Sequence, residues 1–426
     1  MRYRPAMSSH VAATTDLDPR LRAVRTADVR VTVLQGDSPL AGHHVVVEQR
    51  SHRFGFGSTG MDLIGLANDE GTDQERSTAE VIGERWLELF NLVTLPFYWA
   101  RFEPERGHPD TQRIQAAARW FAQRSCRVKG HPLTWHTLAP EWLLPLTNAE
   151  VQAALTARIH RDVSDFAGLI DTWDVVNEAV IMPVFDRYDN AITRLCRQLG
   201  RVETVRLAFD AARATNPDAT LLLNDFDVSV DYEHLVEACL DAGVQIDVLG
   251  IQSHMHQGYW GEEKTLDVLE RFSRFGLPIH FTESTLVSGK LMPPEIEDLN
   301  DYQVADWPST PEGEARQADE AVRHYTTLLA DPAVEAITWW GLPDGGWLNA
   351  PSGLVRADGS PKPAYDALHA LIKGAWWLPP TPMTTDADGR LRVSGWLGDY
   401  EVTIGGRTVG FSIDRAVASV VVRLDA

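Results

Sequence analysis

The chain has little cysteine, a deficit of positive charge and no long apolar run. Only three of its 426 residues are cysteines, Cys126, Cys196 and Cys239. They are widely spaced and odd in number, with no CxxC or zinc spacing, so neither a disulfide framework nor a structural metal site is indicated. They read as buried free thiols, which fits a reducing compartment. Lys and Arg total 39 against 60 Asp and Glu, a formal net charge of −21. A surface of that sign repels a phosphate backbone, which argues against a nucleic-acid partner. No stretch is apolar for long enough to cross a bilayer, which argues against a membrane protein. The first 24 residues carry positive charge but lack the apolar core of a signal peptide. The expectation is a cytoplasmic protein, or a secreted one whose leader has been removed. No GxGxxG or phosphate-binding loop follows any apolar run, and no cofactor is expected.

What is present is enough apolar residue, 44%, to fill a large core, with 23% charged residues and no low-complexity tract. The length suits one large barrel and a small additional piece. Residues 1–25 read as a loose arm. Two β-patterned runs at 29–34 and 45–48, with turn residues at 36–42 between them, predict a hairpin over 26–51. From 52 to 373, short apolar runs alternate with segments of helical period. The runs lie at 54–57, 92–95, 128–134, 172–176, 220–223, 248–251, 279–282 and 336–339. Helical segments include 77–90, 149–166, 201–214, 266–275 and 314–329. Eight such repeats predict an α/β fold, a closed (β/α)8 TIM barrel, in preference to an open doubly wound sheet. Residues 379–382, PPTP, read as a linker, and the β-patterned runs at 391–395, 400–404 and 419–424 follow. The ends of a closed barrel lie close together and a lone hairpin is marginal in water. Residues 380–426 are therefore expected to join the N-terminal hairpin in one accessory β-sandwich. Trp396 and Tyr400 there suit either sugar binding or a structural role.

Catalytic groups of such a barrel collect at the C-terminal ends of its strands. Those ends supply His131, Trp135, His136 and Trp142, then Asn177 and Glu178, then Asn224 and Asp225. Gln252, His254, His256, Tyr259 and Trp260 follow, then Glu283, then Trp340, Asp344 and Trp347. Carboxylates, amides, imidazoles and indoles converging on one cavity are the inventory that glycosidic cleavage needs. One carboxylic acid protonates the leaving oxygen and a second carboxylate attacks the anomeric carbon. Each residue alone has a bland reading. His131 and His280 suit satisfied interior positions, Trp135 and Trp339 suit the core, and most of the 14 tryptophans are expected there.

The segments GHPLTWH, WDVVNEA, LLNDF, GIQSHMH, FTE and TWWGLPDGGWL, in that order between about residues 54 and 372, resemble glycoside hydrolase family 10, the xylanase family. The resemblance implies a retaining enzyme with Glu178 as acid/base and Glu283 as nucleophile. It implies a 2-OH contact at Asn177, sugar-binding roles for His136, Gln252 and His254, an indole floor at Trp340 and a second indole at Trp347. The departures concern specificity. The family usually carries Asn and Lys after strand two, where this chain reads TLPFYWARFEPE, with Phe97 and Ala100 in place of the polar pair. An aromatic glycone side, Phe97, Tyr98 and Trp99, is expected instead. The family's Gln after the WH motif is replaced by Leu138, and its Asp beside the strand-six His by Ser284-Thr285, so His254 must be oriented some other way. These changes and the long segment 287–311 point to short oligosaccharides or an unusual glycoside. Two alternatives remain. One is a metal-dependent barrel hydrolase using His131, His136, His254, His256, His280 and Glu283. The other is a non-catalytic carbohydrate-binding barrel.

Overall fold

The computed structural model describes residues 19–424. The chain divides into two compact units, one made of both terminal segments (to Arg53 and from Leu368) and one spanning Phe54–Ala367.

The first unit opens with the helix Pro19–Arg25, where a loose arm was expected; the remainder of that arm lies outside the described residues. Strands β1 (Thr26–Gln35), β2 (Ser38–Pro39) and β3 (His44–His52) follow. The expected hairpin does not form. β1 pairs with β2 and with two C-terminal strands, whereas β3 belongs to the other sheet. The reason is burial: Val29, Val31 and Val33 alternate on one face of β1, Val45 and Val47 on one face of β3, and the two faces share one core. Period-2 alternation calls for a partner layer and does not say whether that layer is the next strand's edge or its face.

The second unit holds β4 (Gly55–Thr59), β5 (Leu92–Pro96), β6 (Arg127–His131), β7 (Thr172–Asn177), β8 (Thr220–Asp225), β9 (Val248–Met255), β10 (Ile279–Leu286) and β11 (Val334–Trp339). They close into a barrel in sequence order, β11 returning to β4, and every pairing is parallel. The strands are buried on both faces, as near-continuous apolar runs require. Helices between them start where their caps dictate. Thr72 with Glu75, and Thr147 with Glu150, form capping boxes, and Thr310 caps a helix whose first residue is Pro311. The three cysteines are buried and form no disulfide with one another.

The chain then returns to the first unit with β12 (Thr381–Thr384), β13 (Arg390–Trp396), β14 (Gly398–Ile404), β15 (Arg407–Ile413) and β16 (Ser419–Leu424). One sheet has the order β13-β1-β16 with β2 beside β1, the other β12-β3-β14-β15. Half of the expected linker is therefore strand, with Pro382 opposite Val46 on the sheet edge, where a missing N–H is tolerated. Tyr400 is 1% exposed and its hydroxyl donates to the Trp396 carbonyl at 2.7 Å; Trp396 is also buried, so neither ring is presented to a sugar. Among the described residues no helix is long and apolar enough to cross a membrane.

Gly130 of β6 shows how tight the barrel is. A β-carbon there would lie 2.2 Å from the Trp173 ring, which is itself fully buried. Gly130→Ala should cost about 1–3 kcal/mol by overpacking, read as a lower denaturation midpoint.

Candidate active site

The mouth at the C-terminal ends of the strands gathers two carboxyl groups with distinct partners. At the end of β7 the backbone of Glu178 takes a left-handed conformation, φ 57°, uncommon for a residue with a side chain. Its N–H donates to the Asn224 carbonyl at 2.8 Å. Its carboxyl accepts from the Trp135 indole N–H at 2.8 Å, the Asn177 amide at 3.1 Å and the Gln252 amide at 3.4 Å. These donors are all uncharged. Burial pushes the Glu178 carboxyl up to about 8, assisted by the nearby Glu283 and Asp225 carboxylates and opposed by the Trp135 N–H.

Glu283, on β10, is 4% exposed. It accepts from the Asn224 amide at 2.9 Å and contacts His254 Nε2 at 3.1 Å, with His131 Nε2 3.9 Å away. Burial would raise this carboxyl, but attraction from His131 and the hydrogen bond from His254 outweigh it, and it sits below the ordinary carboxylate value. Asn177 Oδ1 accepts from both Asn224 at 2.7 Å and Gln252 at 3.1 Å, so one amide network reaches both carboxyls. Asp225 lies behind it, taking the backbone N–H groups of Val180 and Asp227, and burial lifts it to about 7.

Two indoles flank His254. Trp340 stands edge-on to His254 and His131, with ring centres 6.2 and 5.1 Å away, and Trp347 lies 4.2 Å from His254. Such a site pairs a protonated carboxyl with an ionised one beside flat apolar faces, which suits acid-assisted displacement at a sugar carbon.

The family model described as glycosyl hydrolase family 10 matches residues 59–371. The chain belongs to glycosyl hydrolase family 10. Endo-1,4-beta-xylanase B of Thermotoga neapolitana is 27% identical over 314 residues, covering 68% of this chain and 84% of that enzyme. Endo-1,4-beta-xylanase A of Cellvibrio japonicus is 30% identical over 288 residues, 60% of this chain and 46% of that one. Among solved structures, xylanase 10B from Thermotoga petrophila RKU-1 in complex with xylobiose aligns with a TM-score of 0.60 at 25% identity, covering 76% of this chain and 94% of that one. The family 10 enzyme from Paenibacillus barcinonensis aligns with a TM-score of 0.62 at 25% identity, covering 76% and 96%. This family 10 chain is thus a glycosidase.

Within the family 10 barrel, Glu178, Glu283, Asn177, Gln252, His254, Trp340 and Trp347 fall together at the mouth. His136 is 1% exposed, packed 4.5 Å from the Phe185 ring beside Trp135, and burial holds its pKa down at about 4. Trp99 does not line the mouth as expected. It is buried, its indole N–H donates to Glu103 at 3.0 Å, and the Arg158 guanidinium covers its face at 4.8 Å. Phe97 is fully buried against Phe102, Phe166 and Trp173. Tyr98 alone of the three faces the site, its ring 5.7 Å from His131 and 5.6 Å from Trp135. Burial and the Glu283 and Glu178 carboxylates push its phenol up. The strand pattern ends at Pro96 and a short helix begins at Trp99, so no simple alternation assigns sides to these three rings.

Trp135 and His131 carried weak sequence signals, and Lys129 carried none. Trp135, read as suited to the core, donates to Glu178, whereas Trp339 is the core residue, its N–H on the Ser352 carbonyl at 3.0 Å. His131 is an interior residue, Nδ1 2.7 Å from Asp174, but its other nitrogen faces Glu283. Lys129 completes this group, 1% exposed and 2.8 Å from the Asp174 carboxylate. Burial alone would raise Asp174; the Lys129 ammonium and the His131 hydrogen bond hold it below the ordinary value. The metal reading finds no geometry: among the described residues no group of three or more His, Cys, Asp and Glu side chains is placed to hold an ion.

Lys129→Met would strand the buried Asp174 charge and loosen the seat of His131. A loss of about 3–5 kcal/mol is expected in denaturant unfolding, much of it recovered in Lys129→Met/Asp174→Leu.

Proposed function

We propose that the protein hydrolyses a β-glycosidic bond with retention, Glu178 acting as acid/base and Glu283 as nucleophile, on a short oligosaccharide or a glycoside with an unusual aglycone. The observation that carries this reading is the opposite displacement of the two carboxyls, Glu178 up to about 8 and Glu283 below its ordinary value. At neutral pH one holds a proton and the other a charge, the state in which a double displacement begins. Glu178 gives its proton to the glycosidic oxygen as Glu283 attacks the anomeric carbon. Once ionised, Glu178 takes a proton from the water that releases the sugar. Asn177, bonded to Glu178, is the candidate for the 2-OH, with His136, Gln252 and His254 as further sugar contacts. Trp340 and Trp347 supply flat faces for the ring.

Two features support a restricted substrate. After β5 the side chain beside the carboxyls is the phenol of Tyr98. Residues 287–310 after β10 also pack as a body, Val287, Met292 and Trp307 sharing a small core with Ala350 from the segment after β11. Asp298 and Asp301 of that body hold Arg187, from the loop after β7, at 2.8 and 2.7 Å. The loops that follow Glu178 and Glu283 are thereby tied together, which favours a shortened cleft over one open to a long polymer.

Aryl β-xylosides, arabinosides, glucosides and cellobiosides should reveal the glycone sugar, with the first product anomer retained by NMR. Glu283→Ala should abolish turnover, and survival of full activity in it overturns the nucleophile assignment. On linear oligomers, kcat/KM should stop rising after a few sugars. Rapid depolymerisation of xylan would remove the restricted-substrate reading. The pH profile of kcat/KM should be bell-shaped. Activity is lost above about pH 8 as Glu178 deprotonates, and lost in acid as Glu283 gains a proton. Glu178→Ala should remove the alkaline limb for leaving groups that need no proton.

A further inference from the structure

We propose that Thr285 is a positioning residue that fixes the tautomer of His254 against Glu283, through a one-way chain of hydrogen bonds ending at His256. The proposal rests on the reading of Glu283 as an ionised nucleophile.

Thr285 and His254 are register partners on β10 and β9, and Thr285 is fully buried. Its hydroxyl oxygen lies 3.4 Å from His254 Nδ1 and 3.3 Å from His256 Nδ1. His254 Nε2 lies 3.1 Å from Glu283 Oε2. At the far end His256 Nε2 is buried and has no hydrogen-bond partner. The His256 ring is packed against Trp307 and Trp347, with ring centres 6.0 and 4.9 Å away.

Proton counting along this chain leaves one arrangement. An ionised carboxylate has no hydrogen to give, so His254 Nε2 must carry one. The Nδ1 of that neutral ring is then a lone pair and accepts the single hydroxyl proton of Thr285. The Thr285 oxygen accepts in turn from an N–H on His256 Nδ1. The last nitrogen, His256 Nε2, then carries only a lone pair. The reverse order fails at both ends. It sets a His254 lone pair against the Glu283 carboxylate, and it leaves a buried N–H on His256 Nε2 with no acceptor, an expensive state. A doubly protonated His254 meets the same orphan, because Thr285 would then donate to His256. Burial also holds the His256 pKa down at about 3.

The segment 287–310 builds the far wall of this chain. Met292 N–H donates to the His256 carbonyl at 2.9 Å, and Trp307, its own N–H on the Lys290 carbonyl, closes over the His256 ring. A uniquely protonated neutral donor is therefore aimed at Glu283 without a carboxylate behind it. When Glu283 becomes the glycosyl ester, its oxygen can still accept from the same N–H, so no proton along the chain need move.

NMR of protein carrying nitrogen-labelled histidine tests this, with the ring signals assigned from His254→Gln and His256→Asn. His254 is expected to be protonated on Nε2 and His256 on Nδ1. In Thr285→Val the single tautomers should give way to exchange, and kcat for an aryl β-glycoside should fall about tenfold with KM little changed. Thr285→Ser, which restores the hydroxyl, should restore both signals and rate. His254 protonated on Nδ1 in the wild type overturns the chain, as does a Thr285→Val variant with unaltered spectrum and kcat. Full turnover in Glu283→Ala would instead remove the underlying nucleophile reading. An inactive Glu283→Ala beside the wrong His254 tautomer would remove the chain alone.

Discussion

The side-chain amide of Asn224 has two N–H bonds and one oxygen, and the site is organised around their use. One set of contacts runs from its nitrogen to Glu283 and to Asn177; its oxygen accepts the Thr282 hydroxyl at 2.5 Å. Asn177 passes the constraint to Glu178 and Gln252. The backbone carbonyl of Asn224 also takes the Glu178 N–H, at the point where the chain turns through a left-handed conformation. This hub exists because parallel register in a closed barrel sets Asn177 opposite Asn224 and Glu283 opposite Gln252. It also needs Gly250, since a β-carbon there would meet Asn224 Oδ1 at 2.4 Å.

Burial alone would push every carboxyl in the mouth in the same direction, toward the protonated form. Their partners separate them. Glu178 meets an indole N–H and two amides, and remains raised. Glu283 meets imidazoles on two sides, and Asp174 meets a buried ammonium, and both are held down. Lys129 and Asp174 thus stand behind His131 as His131 stands beside Glu283, a graded series running from the barrel interior to its mouth.

Much of the barrel was legible because its signal is local. Eight apolar runs separated by capped helices leave few other topologies, and the strand ends name the residues that share a rim. Other assignments turned on what lies across space. Phe97, Tyr98 and Trp99 are three consecutive rings at the close of a strand, and only the middle one faces the carboxyls. The N-terminal strands carry an alternation that fits a hairpin and a two-layer sandwich equally well. His131 has a bland interior environment on one nitrogen and a catalytic neighbour on the other, a division invisible to residue type.

The sequence by itself determined the eight-stranded barrel, the accessory β-strands at both ends and a place at the strand ends for Asn177, Glu178, Gln252, His254, Glu283, Trp340 and Trp347. Those follow from periodicity and from position at a strand end, which neighbours along the chain dictate. Tertiary structure decided which face of the 97–99 segment meets the site, which sheet receives each N-terminal strand, and that Thr285 stands between two imidazoles. Each of those depends on the distance between atoms far apart in sequence, and it is packing density and the need to pair every buried donor that settle such distances.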